Sequence, residues 1–219
     1  MQLNNIISDH NWPAPEAGHD PSILTSIYAD KVNIAIWQRQ HQQMLDAYAE
    51  EWINHCPSHT PRLLLSVEKA NEQLEKLLPD LHHKNKFQQD IVLLVDMFAC
   101  LFDTKEVGLR LTPLKKAMCP KFHVDNIPCR LITTYGGLGT EWLLEGNVDR
   151  NRLGKGANGL PDHESGILQA DKTIQQLSSQ HVALLKGSGW LGNEDYGLVH
   201  RSPSLSDGQA RLLLTLDFS

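Results

Sequence analysis

The sequence predicts an α+β protein in which a mainly helical portion with an early strand, residues 1–103, packs outside a β-rich portion, residues 104–219, within one domain. Three observations carry this. Apolar residues recur at helical spacing in three stretches before residue 104, Gly, Pro and Asn punctuate short apolar runs after it, and no internal repeat interrupts either half. The β-rich portion is expected to close as a barrel or sandwich.

Residues 1–20 hold neither a basic n-region nor an apolar stretch of signal length and are not expected to direct export. Residues 32–37, VNIAIW, alternate with a period of two and predict a strand. Met44, Leu45, Tyr48 and Trp52 mark the first helix, and Val67, Ala70, Leu74, Leu77 and Leu78 mark the second. Pro57 and Pro61 separate the two, and Pro79 ends the second by denying the next turn a donor. Phe87, Ile91, Leu94, Val95 and Phe98 mark the third. Predicted strands follow at 107–111, 122–124, 130–135, 182–185, 198–200 and 210–218. Residues 144–171 are rich in Gly, Asn, Asp and Arg and show no period, so they read as a functional loop or as a hidden element.

Composition narrows the function. Acidic side chains outnumber basic ones, 26 to 20, for a formal charge of −6, which offers no net attraction to nucleic acid or to an anionic membrane. The longest apolar stretch, residues 91–101, is broken by Asp96 and falls short of the roughly 20 residues a membrane span needs. Four scattered cysteines, Cys56, Cys100, Cys119 and Cys129, in a chain able to fold without staples favour reduced thiols and a cytoplasmic location.

The chemistry centres on His123-Val124-Asp125. On a strand, positions i and i+2 share a face, so an imidazole and a carboxylate would converge on one metal. With 11 His in 219 residues, close to one such spacing is expected by chance; the weight comes from His200 and Arg211 near the other end. Two histidines and one carboxylate form a metal face, and the forked guanidinium of Arg211 suits an anionic co-substrate. Each residue also has a structural reading. His123 and Asp125 could form a hydrogen-bonded pair, His200 could cap a turn, and Arg211, in an otherwise apolar strand, could pair with a structural carboxylate such as Asp217. Arg201 competes for the anion-binding role but follows His200 directly and would point the other way on a strand. Cys119 and Cys129 flank the triplet and raise a zinc reading, against which stands burial as small hydrophobes. Thr134 and Tyr135 could donate to a co-substrate from the barrel wall, or simply belong to a glycine-rich hairpin with Gly136, Gly137 and Gly139. Cys56 with His55 and His59, and His82 with His83, are further soft-metal candidates more commonly left facing solvent.

His-x-Asp, a distal His about 75 residues on and an Arg shortly after it resemble the iron(II)- and 2-oxoglutarate-dependent oxygenases. That resemblance implies a double-stranded β-helix (a cupin-like jelly roll), iron(II) held by His123, Asp125 and His200, and 2-oxoglutarate anchored by Arg211, with an unidentified small-molecule or protein substrate. A second resemblance covers more of the chain: CPKFHVDNIPCRLITTYGGLGTEWL at 119–143, VALLKGSGW at 182–190, LVHRSP and RLLLTLD are similar to the bacterial domain-of-unknown-function family 1826. Genes of that family lie in many genomes beside zinc-responsive metallochaperone GTPases. It therefore implies metal biology, and with it a rival reading: a non-catalytic zinc-binding or metal-delivery protein with Zn(II) in the same site and such a GTPase as partner.

Overall fold

The computed structural model describes residues 12–168 and 172–218. The expectation about residues 1–20 falls largely outside them, as do residues 169–171 of the segment without a period. The strands are β1 (Ala14–Gly18), β2 (Val32–Trp37), β3 (Arg62–Ser66), β4 (Glu106–Leu114), β5 (Cys129–Tyr135), β6 (Glu141–Trp142), β7 (Gln175–Gln176), β8 (Val182–Lys186), β9 (His200–Arg201) and β10 (Arg211–Phe218). The helices are α1 (Gln43–His55), α2 (Ala70–Leu77), α3 (Lys84–Phe102) and the single turn α4 (Asp162–Ser165).

The apolar spacing decides which way each helix faces. In α1 the buried residues are Leu45, Tyr48, Ala49, Trp52 and Ile53, one stripe at i, i+3, i+4, i+7 and i+8. In α3 the stripe is Phe87, Ile91, Leu94, Val95, Phe98 and Ala99, bounded at each end by a left-handed residue, His83 and Asp103. Both stripes join one core with alternate residues of the large sheet, among them Leu131 and Tyr135 of β5 and Leu212, Leu214 and Leu216 of β10. The other faces of the same strands, with Ile132 and Leu213, join Ile34, Ile36, Trp142, Ala183 and Leu185 in a second core. Alternation along β5 and β10 thus sorts every side chain either toward the helices or toward the second sheet.

The large sheet has seven strands in the order β1-β2-β8-β5-β10-β4-β3, and a small sheet has three in the order β7-β6-β9. All neighbours in both are antiparallel except β1 with β2. The result is a mixed α/β architecture. Three of the seven large-sheet strands, β1, β2 and β3, come from before residue 104, so the boundary read there is a change in composition and not a division of the sheet. The strand expected at 122–124 is reduced to one bridge at His123, and that expected at 198–200 to His200–Arg201. No helix among the described residues is long and apolar enough to cross a membrane.

Candidate metal centre

His123 is placed by that one bridge. Its amide donates to the carbonyl of His200, and the His200 amide donates back, each at 3.0 Å. Residues paired in this way send their side chains to one face, and the two ring centroids lie 4.5 Å apart. On its other side His200 is paired with Trp142 of β6. Asp125 follows in a turn whose backbone is fixed from outside: its carbonyl accepts from the Ser188 amide at 2.9 Å.

Both imidazoles are oriented by main-chain carbonyls. Nδ1 of His123 lies 3.0 Å from the carbonyl of Lys121, and Nδ1 of His200 lies 3.1 Å from that of Leu198. A carbonyl can only accept, so each Nδ1 carries a proton, and Nε2 is the nitrogen left to present a lone pair when the ring is neutral. Nε2 of His123 is 3.8 Å from Asp125 Oδ1, and Nε2 of His200 is 3.6 Å from Asp125 Oδ2. One ligand atom from each of the three residues lies within 4.8 Å of the others. Burial pushes the His200 pKa down to about 4, with His123 adding to the effect and Asp125 opposing it. His200 is therefore neutral at pH 7, as a ligand must be. Two imidazoles and a carboxylate suit a divalent cation with coordination positions to spare.

Arg211 stands beside them on the inner face of β10. It is 1% exposed and lines one cleft with His123, His200, Arg130, Thr140, Ser202 and Thr215. Its Nη1 donates to the Leu138 carbonyl and its Nη2 to Ser202 Oγ, both at 3.1 Å, while its buried Nε has no partner among the described residues. Burial draws its pKa down to about 10, with Glu141 working against the shift, so the charge persists at pH 7. Asp217 pairs with Arg130 and not with Arg211. Among the described residues no carboxylate forms an ion pair with Arg211. Arg201, the competing candidate, is already occupied by Glu141 at 2.6 Å and Asp162 at 2.7 Å, with its guanidinium over the Phe122 ring.

Several candidates lie elsewhere. Tyr135 faces the helices: it donates to Asp90 Oδ2 of α3 at 2.6 Å and packs on Phe87. It has no access to the cleft, because an odd-numbered position of β5 belongs to the other side of the sheet. Thr134 is on the inner face but is not part of the cleft wall, where Thr140, Ser202 and Thr215 supply the hydroxyls. Cys129 is wholly buried toward the helices, and that burial raises its thiol pKa far above the usual range. Cys119 is exposed. No cysteine joins the cluster, nor do His55, His59, His82 or His83, among the described residues. The zinc reading thus draws no thiolate ligand from the fold.

The segment from residue 144 braces the site. It forms short 3-10 turns at Glu145–Asn147, Arg150–Arg152 and Gly154–Ala157 before α4. Asp162 of α4 accepts from the Phe122 amide at 3.0 Å as well as from Arg201, so one carboxylate ties the His123 loop to β9. Arg130, Thr140, Asp162, Ser202 and Thr215 were not legible as site residues. For Arg130 the signal existed: a charge in an apolar strand needs a partner, the same argument that singles out Arg211.

A model of the family described as "Protein of unknown function (DUF1826)" matches residues 18–217. The chain belongs to the DUF1826 family. No curated protein matches it. Among solved structures, this DUF1826 chain is similar to dioxygenase for auxin oxidation 1 from Arabidopsis thaliana, solved with 2-oxoglutarate. The TM-score is 0.53 at 8% identity, over 94% of this chain and 91% of that one. The rice dioxygenase for auxin oxidation gives 0.46 at 8% identity over 94% and 82%. A Pseudomonas putida prolyl-4-hydroxylase gives 0.45 at 10% identity over 90% and 96%. The likeness to the Arabidopsis protein gives this DUF1826 member an oxygenase-like fold.

Proposed function

We propose that the protein is an iron(II)- and 2-oxoglutarate-dependent oxygenase. On this reading the two sheets form a double-stranded β-helix with the N-terminal helical portion outside it. His123, Asp125 and His200 hold the metal, and Arg211 holds the far carboxylate of 2-oxoglutarate. The observation that carries the reading is the convergence of two imidazoles and a carboxylate beside a buried arginine with no ion-pair partner among the described residues. The oxygenase-like fold supports it.

Iron(II) with 2-oxoglutarate and dioxygen would supply, when bound, the oxidising chemistry for hydroxylation or demethylation of a substrate, dioxygen being the oxidant and 2-oxoglutarate the co-reductant. The chain's own residues do the rest. The carbonyls of Lys121 and Leu198 keep both imidazoles in the ligating tautomer. Arg211 offers its Nε to the incoming carboxylate, which would relieve a buried and uncompensated charge. Ile132 and Leu213 give the cleft an apolar wall continuous with the second core.

The test is anaerobic loading with iron(II), metal analysis, and titration with 2-oxoglutarate followed by absorption. One iron per chain and a saturable absorption change on adding the keto acid are expected. Absence of 2-oxoglutarate binding at millimolar concentration with iron fully loaded would overturn the proposal.

A further inference from the structure

Asp125 is held by more than its turn. Its Oδ2 accepts from Arg130 Nη1 at 2.6 Å, whereas its Oδ1 meets no hydrogen-bond donor among the described residues. The opposite edge of the same guanidinium is gripped by Asp217, Nε to Oδ1 at 2.6 Å and Nη2 to Oδ2 at 3.1 Å. Arg130 and Asp217 are register partners on the adjacent strands β5 and β10. The fork is therefore fixed by a pairing of the middle strand of the large sheet and reaches out to a carboxylate in a loop.

From this geometry we infer that Arg130, clamped by Asp217, is a positioning residue that makes Asp125 a one-oxygen ligand and so preserves an open coordination position. The inference rests on the metal-site reading above. A carboxylate free to rotate can offer both oxygens to a cation, and each extra oxygen removes a position that a co-substrate needs. Arg130 prevents this by engaging Oδ2 with a charge-assisted hydrogen bond. An unaccompanied guanidinium this close would also repel a divalent cation. Asp217 cancels that charge, so the pair acts as a rigid neutral donor. Arginine is required over lysine because one planar fork must serve two carboxylates at once.

The experiment uses the full chain loaded with cobalt(II) under nitrogen, with affinity and the positions of the visible absorption bands as readouts. Outer partners of metal ligands typically contribute 10- to 100-fold in affinity. Asp217→Asn, nearly isosteric, is expected to weaken cobalt binding about tenfold and Arg130→Gln by tens of fold, at the scale of such partners, with the bands displaced in both. Arg130→Lys is expected to leave the bands displaced. Wild-type affinity and bands in both Asp217→Asn and Arg130→Gln would overturn the inference, as would full rescue by Arg130→Lys, which would make charge and not geometry the cause. His123→Ala separates the two levels. If it abolishes cobalt binding while the Arg130 and Asp217 variants behave as wild type, the metal site stands and only the positioning role fails. If it binds cobalt like wild type, the metal-site reading fails and takes this inference with it.

Discussion

A single backbone bridge decides the geometry of the proposed metal site, because it sets two imidazoles on one face before any metal arrives. His123→Ala and His200→Ala are expected to lose stoichiometric iron, measured by metal analysis after anaerobic purification; normal content in both would place the metal elsewhere. Arg211 is the other decisive residue. Arg211→Lys keeps the charge but loses the planar fork, so 2-oxoglutarate binding should weaken by about 1–3 kcal/mol with metal content unchanged. Calorimetric titration of the iron-loaded protein under nitrogen checks this, and an unaltered Kd would remove Arg211 from the site. In the sequence His123 and Asp125 stand out by their spacing, His200 by its place near the other end of the chain, and Arg211 as a charge in an apolar strand. Their partners do not. Which carboxylate would meet Arg211 depends on register across β5 and β10, and that register gives Asp217 to Arg130.

At the scale of elements, the large sheet separates two kinds of polar group that look alike in sequence. Asp90 of α3 accepts from both Arg39 and Tyr135 on the helix side. Removing the carboxylate leaves a buried guanidinium unpaired, so Asp90→Ala should cost about 3–5 kcal/mol. Tyr135→Phe leaves Asp90 bonded to Arg39 and should cost about 1 kcal/mol, with no effect on 2-oxoglutarate binding. Urea denaturation ranks the two, and equal losses would contradict this account of the network. The loop from Gly187 to Gly197 offers a second test. A Cβ at Gly187 would overlap the carbonyl oxygens of Asp125 and Ile127, and one at Gly197 would overlap Val124. Gly187→Ala should therefore displace the Asp125 loop and lower metal affinity, read by the same cobalt titration, while wild-type affinity would show that the loop yields freely. The three long helices and β2 were legible from their periods, and β4, β5, β8 and β10 as apolar runs set off by Gly, Pro and Asn. β1, with the sequence APEAG, lacks strand formers, and β3 follows Pro61 closely enough to read as a connection between helices. β6, β7 and β9 are two residues each, too short to carry a period.

Over the whole molecule, the cleft joins residues from distant parts of the chain, so folding and the proposed metal binding would share the same protons. Burial pushes the His200 pKa down to about 4, from 6.5 for a free imidazole. Between those values the unfolded chain binds a proton at this residue and the folded chain does not. Stability of the metal-free protein therefore falls as pH drops from 6.5 toward 4, and above 6.5 this residue contributes no pH dependence. At 1.36 kcal/mol per pH unit the loss from His200 alone approaches about 3 kcal/mol. A bound divalent cation needs the same Nε2 lone pair, so loading the site should raise stability most at neutral pH, and the gain should shrink as acid releases the metal. Urea denaturation of the wild type and His200→Gln at pH 7, 6, 5 and 4.5, each with and without cobalt(II), measures both terms. The metal-free wild type is expected to lose more stability than the variant across that range, and only the wild type should gain from cobalt at pH 7. Parallel metal-free curves would mean that His200 does not carry the acid sensitivity, and an equal cobalt gain in both proteins would mean that it is not a ligand.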